Sequence, residues 1–326
     1  EYFFEIHCYL LIMNFLYCFD ENYNNQAFVS IYSLLNSSKE KVDIYVIHKS
    51  ENSSDFFPKE IKKHDNLNTL NVYKFNKANL NFYNLDNAHV TEATFYRLFL
   101  LNYLPVNISN IVYLDADVYC LQNPISSFKK EFKIMKNQGF EVGFSIESKK
   151  NQNNLDTFSR LNLRGDSYFN AGVMIMDLKK ARQNNFTDNI TNLLTSLNDN
   201  AVYWDQDVLN KYYDDKFYEL DENLNYKINF FEKDYTNLLT DNSEINIVHY
   251  SGKFKPWSIR GIAHSSAYIF QDNYFKLYNK KYYVSNARKY HALKDLLKIL
   301  FTFNFRYIKY PLSFILFTVR FLLKSK

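Results

Sequence analysis

The amino-acid sequence predicts an α/β protein built on a doubly wound sheet. Three stretches near the start support this prediction: the apolar run "MNFLYCF", the helically spaced "NNQAFVSIYSLL" and the alternating "KVDIYVI". A buried strand, an amphipathic helix and a second strand in succession form a β-α-β unit, whose strands pair in parallel through a right-handed crossover. Ligands of such sheets collect at the carboxyl ends of the strands. Functional residues are therefore expected where strands end.

Each predicted element has its own apolar pattern. The second strand alternates Val42, Ile44 and Val46, as a half-buried strand does. The helix before it is expected to bury one face, which consists of Ala27, Phe28, Ile31, Leu34 and Leu35. Further strands are predicted at "LNVYKF", "IVYL", "EVGFSI", "FNAGVMIMDL" and "INIVHY". Helices are predicted over 91–102 and over "DQDVLNKYY", where Asp205 is expected as the N-cap.

The composition is that of a globular chain with one main domain and an appendage. The 326 residues are 47% hydrophobic with only 6 Gly and 5 Pro, which excludes a disordered or collagen-like chain. Three cysteines are an odd set without metal-ligand spacing, so we expect a reducing compartment and no disulfides. The stretch "CYLLIMNFLYCF" lacks a basic flank and is too short to span a bilayer. Residues 1–12 are therefore interpreted as an upstream extension before a natural start at Met13.

Two carboxylates, Asp115 and Asp117, follow the apolar run in "NIVYLDADVYC". Residues i and i+2 of a strand point to the same side, so these side chains are expected to lie side by side. Like charges at that separation repel unless a cation lies between them or water solvates them, and hard divalent cations prefer carboxylate oxygens. The pair indicates half of a metal site, with a solvated acidic turn at a strand end as the alternative.

The stretch "VHYSGKFKPW" contains groups that suit the other half of such a site. His249 ends a predicted strand, and Lys255 follows it past Gly252. An imidazole can complete a metal site made of two carboxylates, and a lysine can neutralise phosphate. The alternative for this stretch is a hydrogen-bonded structural histidine and a solvated lysine.

Four motifs, "YLDADV", "YFNAGVMIMDLKK", "WDQDVLN" and "HYSGKFKPW", together resemble glycosyltransferase family eight, especially the bacterial lipooligosaccharide galactosyl- and glucosyltransferases. "FDENY" and "HVTEATFYRL" fit the same pattern, so the resemblance covers about residues 13–260. It implies a GT-A fold, a Rossmann-like, doubly wound mixed sheet, in a catalytic domain over residues 13–262. It also implies a retaining enzyme that moves galactose or glucose from a UDP-sugar and depends on Mn²⁺, with Mg²⁺ as the alternative ion.

The resemblance assigns roles at the metal and the diphosphate. Asp115, Asp117 and His249 are implied to bind the metal ion, while Lys255 and the backbone around Gly252 are implied to bind the phosphates. Glycine suits this place because it lets the chain approach a ligand closely. A nucleotide diphosphate departs readily only when its developing negative charge is neutralised, and a divalent cation does this as a Lewis acid.

The resemblance also implies residues that bind the rest of the donor. Asp20, Asn22 and Tyr23 match positions that receive uracil and ribose, with a helix-start loop as their structural alternative. Arg97 matches a donor-binding arginine, for which an ordinary surface ion pair is the alternative. The remaining implied donor residues are Ala116, Asn170 and Ala171, and Glu147 is a further candidate at a position where relatives often carry Asp.

Two residues of "WDQDVLN" are implied in catalysis. Asp205 is expected to accept a hydroxyl of the hexose and Gln206 to lie near the anomeric carbon, while Asp207 is expected to cap or solvate the helix. Retention commonly uses a carboxylate nucleophile, but the amide of Gln206 carries no charge. We therefore expect a same-face internal return. The departing phosphate oxygen helps to deprotonate the acceptor hydroxyl, and Gln206 stabilises the oxocarbenium-like state.

The C-terminal region, residues 263–326, is predicted to be a basic amphipathic helical tail. From Lys280 onward the chain has eleven Lys or Arg and one acidic residue, Asp295. Its longest uncharged apolar stretch, "YPLSFILFTV", is about half the length of a transmembrane helix. We expect the tail to lie on an anionic membrane, at the inner face of the cytoplasmic membrane. A helical pair packed on the domain, or an oligomer contact, is the alternative, and the interleaved apolar residues argue against nucleic acid.

The acceptor is expected to be a lipooligosaccharide, a lipopolysaccharide or another lipid-linked glycan, and His89 matches a family position near it. Two other functions stay open at this point. A nucleotidyltransferase also needs paired aspartates and a metal, but it attacks phosphorus and releases pyrophosphate rather than UDP. A catalytically inactive glycan-binding scaffold on the same fold binds UDP without turning over any UDP-hexose.

Overall fold

The β-α-β unit predicted at the start of the chain is present. The computed structural model describes residues 12–77, 82, 85, 91–228, 244–252, 255–285, 289–301 and 308–323. Strand β1 (Met13–Phe19) leads through helix α1 (Asn24–Ser37) to strand β2 (Val42–His48), and the two strands pair in parallel. The five apolar side chains predicted on one face of α1 are all buried. The apolar spacing of each segment thus matches the period of the element it forms.

The main sheet has seven strands and is mixed, as the predicted fold class requires. The remaining strands of the described chain are β3 (Leu67–Lys74), β4 (Asn110–Leu114), β5 (Val118–Cys120), β6 (Val142–Lys149), β7 (Ser167–Asp177), β8 (Tyr218–Glu219), β9 (Tyr226–Lys227) and β10 (Ile247–His249). The main sheet has the order β3-β2-β1-β4-β7-β6-β8, in which β7 runs antiparallel to both of its neighbours. The other three strands form a small sheet in the order β5-β10-β9.

Both faces of the main sheet are covered, which explains the continuous apolar run of β1. Phe15, Tyr17 and Phe19 belong to one buried cluster, which includes side chains of α1. Leu16 and Cys18 belong to a second buried cluster. Successive residues of a strand point to opposite faces, so a strand buried on both sides is apolar at nearly every position. The exception in β1 is Asn14, whose amide donates to the carbonyl of Asn110 over 3.2 Å.

The helices surround this sheet. After α1, the described α-helices are α2 (Lys59–Lys62), α3 (Ile125–Asn137), α4 (Leu155–Arg160), α5 (Leu178–Gln183), α6 (Phe186–Leu197), α7 (Trp204–Tyr213), α8 (Ile259–Ile262), α9 (Tyr268–Tyr278), α10 (Lys289–Phe301) and α11 (Pro311–Leu323). The 3₁₀ segments of the described residues are Glu21–Tyr23, Ser54–Phe56, Glu92–Asn102, Asn198–Asn200, Glu222–Leu224 and Ser265–Ala267. The predicted helix over 91–102 is therefore present, but as a 3₁₀ rather than an α-helix.

Packing of aromatic rings explains the 3₁₀ form of this segment. Side chains three residues apart align along a 3₁₀-helix. Tyr96 and Phe99 are three residues apart and both contact the ring of Phe75, with centroid distances of 3.8 and 5.9 Å. The backbone departs from helical angles at Phe99, where φ is −110° and ψ is 15°. The segment thus bends to keep both rings on Phe75.

The start of α7 corrects the prediction that Asp205 is its N-cap. The helix begins at Trp204, so Asp205 lies in the first turn and its carboxylate is turned to other partners. The N-cap position is Tyr203, whose own side chain makes no capping bond, and Oδ2 of Asp207 accepts the backbone N–H of Tyr203 over 2.7 Å. Asp207 is fully buried rather than solvated, because Tyr168 and Arg160 also donate to its carboxylate.

The helices of the C-terminal region belong to two separate buried hydrophobic clusters. Ile269 and Phe270 of α9 pack in the same buried cluster as β1 and α1, although they lie beyond residue 262. Helices α10 and α11 pack with α8 in a separate cluster. Among the helices that the structure describes, none is long and apolar enough to cross a membrane. The predicted boundaries at 13 and 262 stay predictions, and residues 1–11 lie outside the described residues.

Candidate functional site

The three predicted metal ligands come together at the end of the small sheet. One ligand atom from each of Asp115, Asp117 and His249 lies within 4.8 Å of the others. The antiparallel pairing of β5 with β10 causes this, because it sets Val118 opposite His249. Strand alternation is not the reason, since β4 ends at Leu114 and both aspartates lie in the turn before β5. The predicted proximity is present, and the predicted local structure was wrong.

A cation contacts each of the two carboxylates. Nη2 of Arg97 lies 3.1 Å from Oδ1 of Asp115, and Nζ of Lys255 donates to Oδ2 of Asp117. The hydroxyl of Tyr113 also donates to Oδ1 of Asp115, over 2.6 Å. Burial alone raises the pKa of Asp117, but the Lys255 ammonium in contact with its carboxylate outweighs burial and holds that pKa well below its usual range. Asp117 is thus ionised, and ready to bind a cation, at any physiological pH.

Arg97 links the acidic pair to Asp205. The guanidinium is buried rather than a surface group, and its Nε lies 2.7 Å from Oδ2 of Asp205. The N–H of Nε donates instead to the carbonyl of Thr94, so Oδ2 receives no hydrogen bond from the part of the chain that the structure describes. Oδ1 accepts from the Thr94 hydroxyl over 2.6 Å. A buried carboxylate oxygen with an ion pair and no donor can accept a hydroxyl of a ligand.

Burial also changes the acidity of Asp205. The residue is 2% exposed, and loss of hydration raises its pKa to about 6, even though Arg97 and the Thr94 hydroxyl lower it. The neighbouring Asp115 carboxylate raises it further. Asp205 is therefore mostly ionised at neutral pH and becomes protonated under mild acid.

The amide of Gln206 is held in a defined orientation. Its Oε1 accepts the backbone N–H of Ala171 over 3.0 Å, and its Nε2 donates to the hydroxyl of Tyr168 over 3.3 Å. The backbone donor identifies the oxygen end, because only the amide oxygen can accept. A second lone pair of that oxygen remains, and it can face an electron-poor centre.

Asn170 lies on β7, beside Asp205 and Gln206. Its Oδ1 accepts the N–H of Gly172 over 2.9 Å, and its Nδ2 donates to Oε2 of Glu147 over 2.7 Å. Glu147 in turn forms an ion pair with Lys227, whose Nζ lies 3.6 Å from Oε1. Glu147 is therefore tied to Asn170, and Lys227 is a partner that the motifs did not identify.

The site also has aromatic and backbone groups. The ring of Tyr23 packs edge-on against Trp257, with centroids 6.2 Å apart. Gly252 has a φ of 79°, a left-handed conformation that glycine adopts without strain. Asp20 caps the 3₁₀ segment that follows it, because its Oδ1 accepts the N–H of Asn22 over 3.0 Å. The structural alternative for "FDENY", a helix-start loop, is therefore present.

A cavity of about 690 Å³ joins these groups. The predicted residues that line it are Tyr23, Arg97, Asp115, Ala116, Asp117, Glu147, Asn170, Ala171, Asp205, Gln206, His249, Gly252 and Lys255. Within the described ranges, Asp20 and Asn22 do not line it, and their predicted nucleotide contacts stay predictions. His89 lies outside the described residues, so its predicted acceptor role also stays a prediction.

The cavity wall contains polar residues to which the sequence analysis assigned no role. They include Thr91, Thr94, Asn154, Thr157, Tyr168 and Tyr203. Tyr113 does not line the cavity but donates to Asp115. It lies two residues before Asp115, so the same i, i+2 spacing that related the two aspartates could have identified it. Thr94 lies three residues before Arg97, and Tyr203 lies three residues before Gln206. Helical spacing was therefore a second signal that could have identified these two residues.

Comparisons with known proteins agree with this arrangement. The sequence profile described as glycosyl transferase family 8 matches residues 14–261. The chain is 26% identical over 281 residues to General stress protein A of Bacillus subtilis, covering 81% of this chain and 92% of that protein. It is 29% identical over 265 residues to a lipopolysaccharide 1,2-glucosyltransferase of Escherichia coli strain K12, covering 75% of this chain and 72% of that protein.

A solved structure shows the same fold. The crystal structure of the galactosyltransferase LgtC in complex with donor and acceptor sugar analogues matches with a TM-score of 0.66 at 20% identity, covering 82% of this chain and 96% of that one. The fold class predicted from sequence, an α/β GT-A fold with a helical C-terminal region, is confirmed. The family profile spans most of the chain and every motif of the cavity. The chain belongs to glycosyltransferase family 8, and it is a glycosyltransferase.

Proposed function

We propose that this glycosyltransferase moves a hexose, galactose or glucose, from a UDP-sugar to a hydroxyl of a lipid-linked glycan, with retention of anomeric configuration and dependence on Mn²⁺. One observation carries the proposal. The metal-ligand cluster of Asp115, Asp117 and His249 opens on the same cavity as Asp205 and Gln206. A diphosphate held at the first group can place its sugar at the second.

The ligand set suits a divalent cation. Two carboxylates and an imidazole, in contact range of one ion, fit Mn²⁺, and the carboxylates also fit Mg²⁺. The lowered pKa of Asp117 supports the fit, because a ligand must be ionised to bind. Bound there, the ion supplies Lewis-acid neutralisation of the charge that develops on departing UDP.

Lys255 and the loop glycine Gly252 are assigned to the diphosphate. Lys255 reaches the edge of the metal cluster, where its ammonium can transfer from Asp117 to a phosphate oxygen. Apart from its chain neighbours, no atom of the described residues lies within 4 Å of the place where a Cβ on Gly252 would lie, so the described chain leaves room for a ligand there. The ring of Tyr23 offers a stacking face for uracil. Asp20 and Asn22 keep their predicted contact with uracil and ribose.

Asp205 is assigned to the binding of the hexose. Its Oδ2 is buried at the cavity, in ion-pair contact with Arg97 and without a hydrogen-bond donor from the described chain. A sugar hydroxyl supplies that donor. Ala116, Asn170 and Ala171 line the same cavity, and Asn170 donates to Glu147, which also lines it.

Retention follows from an internal return on one face of the sugar. The bond between the anomeric carbon and the phosphate oxygen breaks, and the electron pair leaves with UDP. The acceptor hydroxyl then attacks the same face, and its proton passes to the departing phosphate oxygen. Gln206 cannot act as a charged nucleophile, but the free lone pair of its fixed amide oxygen stabilises positive charge at the anomeric carbon.

The acceptor class rests on relatives and on the tail. One curated relative is a lipopolysaccharide 1,2-glucosyltransferase, which supports a lipooligosaccharide or lipopolysaccharide acceptor. The tail helices expose apolar side chains, including Leu293, Leu297, Leu312 and Leu316. These groups, with the basic charge of the tail, support peripheral attachment to the cytoplasmic face of the inner membrane. His89 keeps its predicted place near the acceptor.

Product analysis tests the proposal. Purified protein is incubated with UDP-galactose, UDP-glucose or UDP-N-acetylglucosamine, with and without Mn²⁺ and glycan acceptors, and released UDP and pyrophosphate are measured. We expect Mn²⁺-dependent UDP release that the Asp117→Asn variant lacks and the surface variant Asp166→Asn keeps. Pyrophosphate release instead indicates a nucleotidyltransferase. Binding of UDP without turnover of any UDP-hexose indicates an inactive scaffold.

A further inference from the structure

Asn225 lies between two residues of the candidate site, although no motif pointed to it. The residue precedes β9 and is 1% exposed. Its Nδ2 lies 3.0 Å from Oδ1 of Asn170, and its Oδ1 lies 2.9 Å from Nδ1 of His249. The parallel pairing of β9 with β10 brings it alongside the histidine. One buried amide therefore joins a predicted metal ligand to a predicted sugar-binding residue.

A backbone amide sets the direction of every hydrogen bond in this group. The N–H of Gly172 donates to Asn170, so the accepting atom is the side-chain oxygen. The other end of Asn170 is then its NH₂ group, which faces the Glu147 carboxylate, an acceptor. The Asn170 oxygen has a second lone pair, and the NH₂ group of Asn225 donates a hydrogen bond to it. Asn225 must therefore present its oxygen to His249, and the imidazole must donate from Nδ1.

The direction of these bonds decides which nitrogen of His249 is available to a cation. A neutral imidazole has one N–H and one lone pair, so a hydrogen on Nδ1 leaves the lone pair on Nε2. Nε2 is the nitrogen that faces the cluster, 3.4 Å from Oδ1 of Asp117. Metal-binding histidines commonly donate their other N–H to a fixed acceptor, and loss of that acceptor weakens metal affinity by about 10- to 100-fold.

We propose that Asn225 is a positioning residue that holds His249 as the Nδ1–H tautomer, with Nε2 directed at the metal site, and fixes the Asn170 oxygen with the other end of its amide. Without an acceptor at Nδ1, the neutral ring places its hydrogen on Nε2, toward the Asp117 carboxylate, where it blocks the ligand position. A change at Asn225 therefore reaches the metal site and the hexose end of the cavity together. The inference rests on the proposed function in one respect, that His249 binds a divalent cation.

The tautomer is measured without metal, donor or turnover. Long-range proton–nitrogen NMR spectra of protein labelled at its histidine nitrogens, recorded where imidazoles are neutral, distinguish the two forms, and His249→Gln identifies the signal. We expect Nδ1–H in the wild type and Nε2–H in Asn225→Leu, which keeps a side chain of similar shape. Nε2–H in the wild type, or no change in the variant, overturns the proposal.

A matched control separates this effect from the loss of any buried amide. Asn210 is 2% exposed, and its amide bonds to backbone groups of Phe169 and Gln206 rather than to the histidine. Asn210→Leu is therefore expected to lower thermal stability while the His249 signal stays that of Nδ1–H. A tautomer change in this control as well contradicts a specific role for Asn225.

Titration with Mn²⁺ alone, followed by the paramagnetic resonance signal of the free ion, is the second readout. Asn225→Leu is expected to bind Mn²⁺ about 10- to 100-fold more weakly than the wild type. Asn225→Asp is expected to keep its Mn²⁺ affinity, because a carboxylate accepts from Nδ1. It cannot donate to Asn170, so its preference for UDP-hexose over UDP should fall. Equal loss of Mn²⁺ affinity in both variants, or none in either, overturns the proposal.

The Asn225→Asp variant also decides the matter if Asn225→Leu does not fold. It must then show Nδ1–H and wild-type Mn²⁺ affinity, and failure of either overturns the proposal. The two levels of inference fail in different ways. A protein that shows the tautomer change but binds no Mn²⁺ refutes the metal assignment of the proposed function. A protein that binds Mn²⁺ but shows no tautomer change refutes the role of Asn225.

Discussion

The imidazole of His249 occupies the space beside the Cα of Gly172. A Cβ built on Gly172 overlaps Cε1 of the ring and lies 2.8 Å from its Nδ1, closer than real Cβ atoms approach other atoms. The same Cβ lies 3.0 Å from Oδ2 of Asp115. Glycine inside a strand often marks the close approach of another group, and here two predicted metal ligands approach it.

The Gly172→Ala variant is therefore expected to displace His249 from the cluster. Mn²⁺ affinity, measured by titration, should fall at least about 10-fold, because one of three ligands moves. Overpacking should also lower the free energy of unfolding by about 1–3 kcal/mol. Gly143→Ala is the matched control, since its Cβ meets a side-chain carbon of Ile175 at 2.9 Å, elsewhere in the same sheet. Equal Mn²⁺ affinity in the two variants would contradict the explanation.

Replacement of Lys255 is expected to change the affinities for Mn²⁺ and for UDP in opposite directions. Its ammonium contacts Asp117 and also donates to the carbonyl of Tyr250 over 2.7 Å. In Lys255→Met, which keeps most of the apolar stem, no ammonium competes for Asp117, so Mn²⁺ should bind the nucleotide-free protein severalfold more tightly. UDP, titrated at saturating Mn²⁺, should bind about 10-fold more weakly or worse, because a charge-assisted hydrogen bond is lost.

The exposed ion pair of Lys149 with Asp166 offers a control for this variant. The two groups are 3.7 Å apart and the lysine is 59% exposed, so Lys149→Met should change neither titration. Isothermal titration calorimetry measures both affinities on the same protein. A parallel fall of Mn²⁺ and UDP affinity in Lys255→Met would show that the lysine supports the metal site rather than competing with the ion.

Much of the fold followed from local patterns, because those patterns have physical causes. Strand β1 is apolar at every position except Asn14 because both faces of the sheet are covered, and the apolar residues of α1 are buried at helical spacing. Asp115 and Asp117 were expected together for the wrong local reason. Their position after a strand was readable, but the turn that holds them depends on the pairing of β5 with β10, which is remote in sequence.

Other features depend on long-range packing and had no local signal. Asn225 lies beside a two-residue strand, too short to show an apolar period, in a chain where Asn is common. The placement of Phe270 in the main core was not predicted, because the expected domain boundary at residue 262 lies before the helix that contains it. The 3₁₀ form of Glu92–Asn102 depends on Phe75, a contact that periodicity does not contain.

The tail is expected to bind anionic vesicles through exposed basic groups. Lys294 and Arg320 are exposed on α10 and α11. Replacing both with Gln should weaken partition onto anionic vesicles by roughly 30-fold at low salt, at about 1 kcal/mol for each charge. The measurement is vesicle flotation, and the difference should shrink as salt is added. The matched control replaces Lys63 and Lys179, which are exposed on the main domain, with Gln.

Two other results would favour the alternatives for the tail. Equal flotation of the tail variant and the control would contradict membrane attachment through this charge. A change of oligomeric state, measured by light scattering, in Leu312→Gln with Leu316→Gln would indicate a contact between chains. The substitutions are preferred to truncation after Lys281, because Tyr283 exchanges backbone hydrogen bonds with the buried Gln271 and its removal would disturb the main core.

The raised pKa of Asp205 predicts how recognition of the hexose depends on pH. Burial raises this pKa to about 6, so the carboxylate that is to accept a sugar hydroxyl is protonated as the pH falls through that value. A protonated carboxyl accepts more weakly, and it no longer pairs with the Arg97 guanidinium. UDP-hexose should therefore lose affinity below about pH 6 relative to UDP, which lacks the sugar that Asp205 contacts.

The ratio of the UDP and UDP-hexose dissociation constants isolates this effect. Both ligands use the same metal and phosphate contacts, so acid effects on Asp115, Asp117, His249 and Lys255 cancel in the ratio. We expect the preference for UDP-hexose to be full near neutral pH and to fall with a midpoint near pH 6. In Asp205→Asn, which has no carboxyl to titrate, the preference should be low and flat with pH. If the Asp205→Asn variant kept the same midpoint, another group would be responsible, and the assignment of Asp205 to the hexose would be wrong.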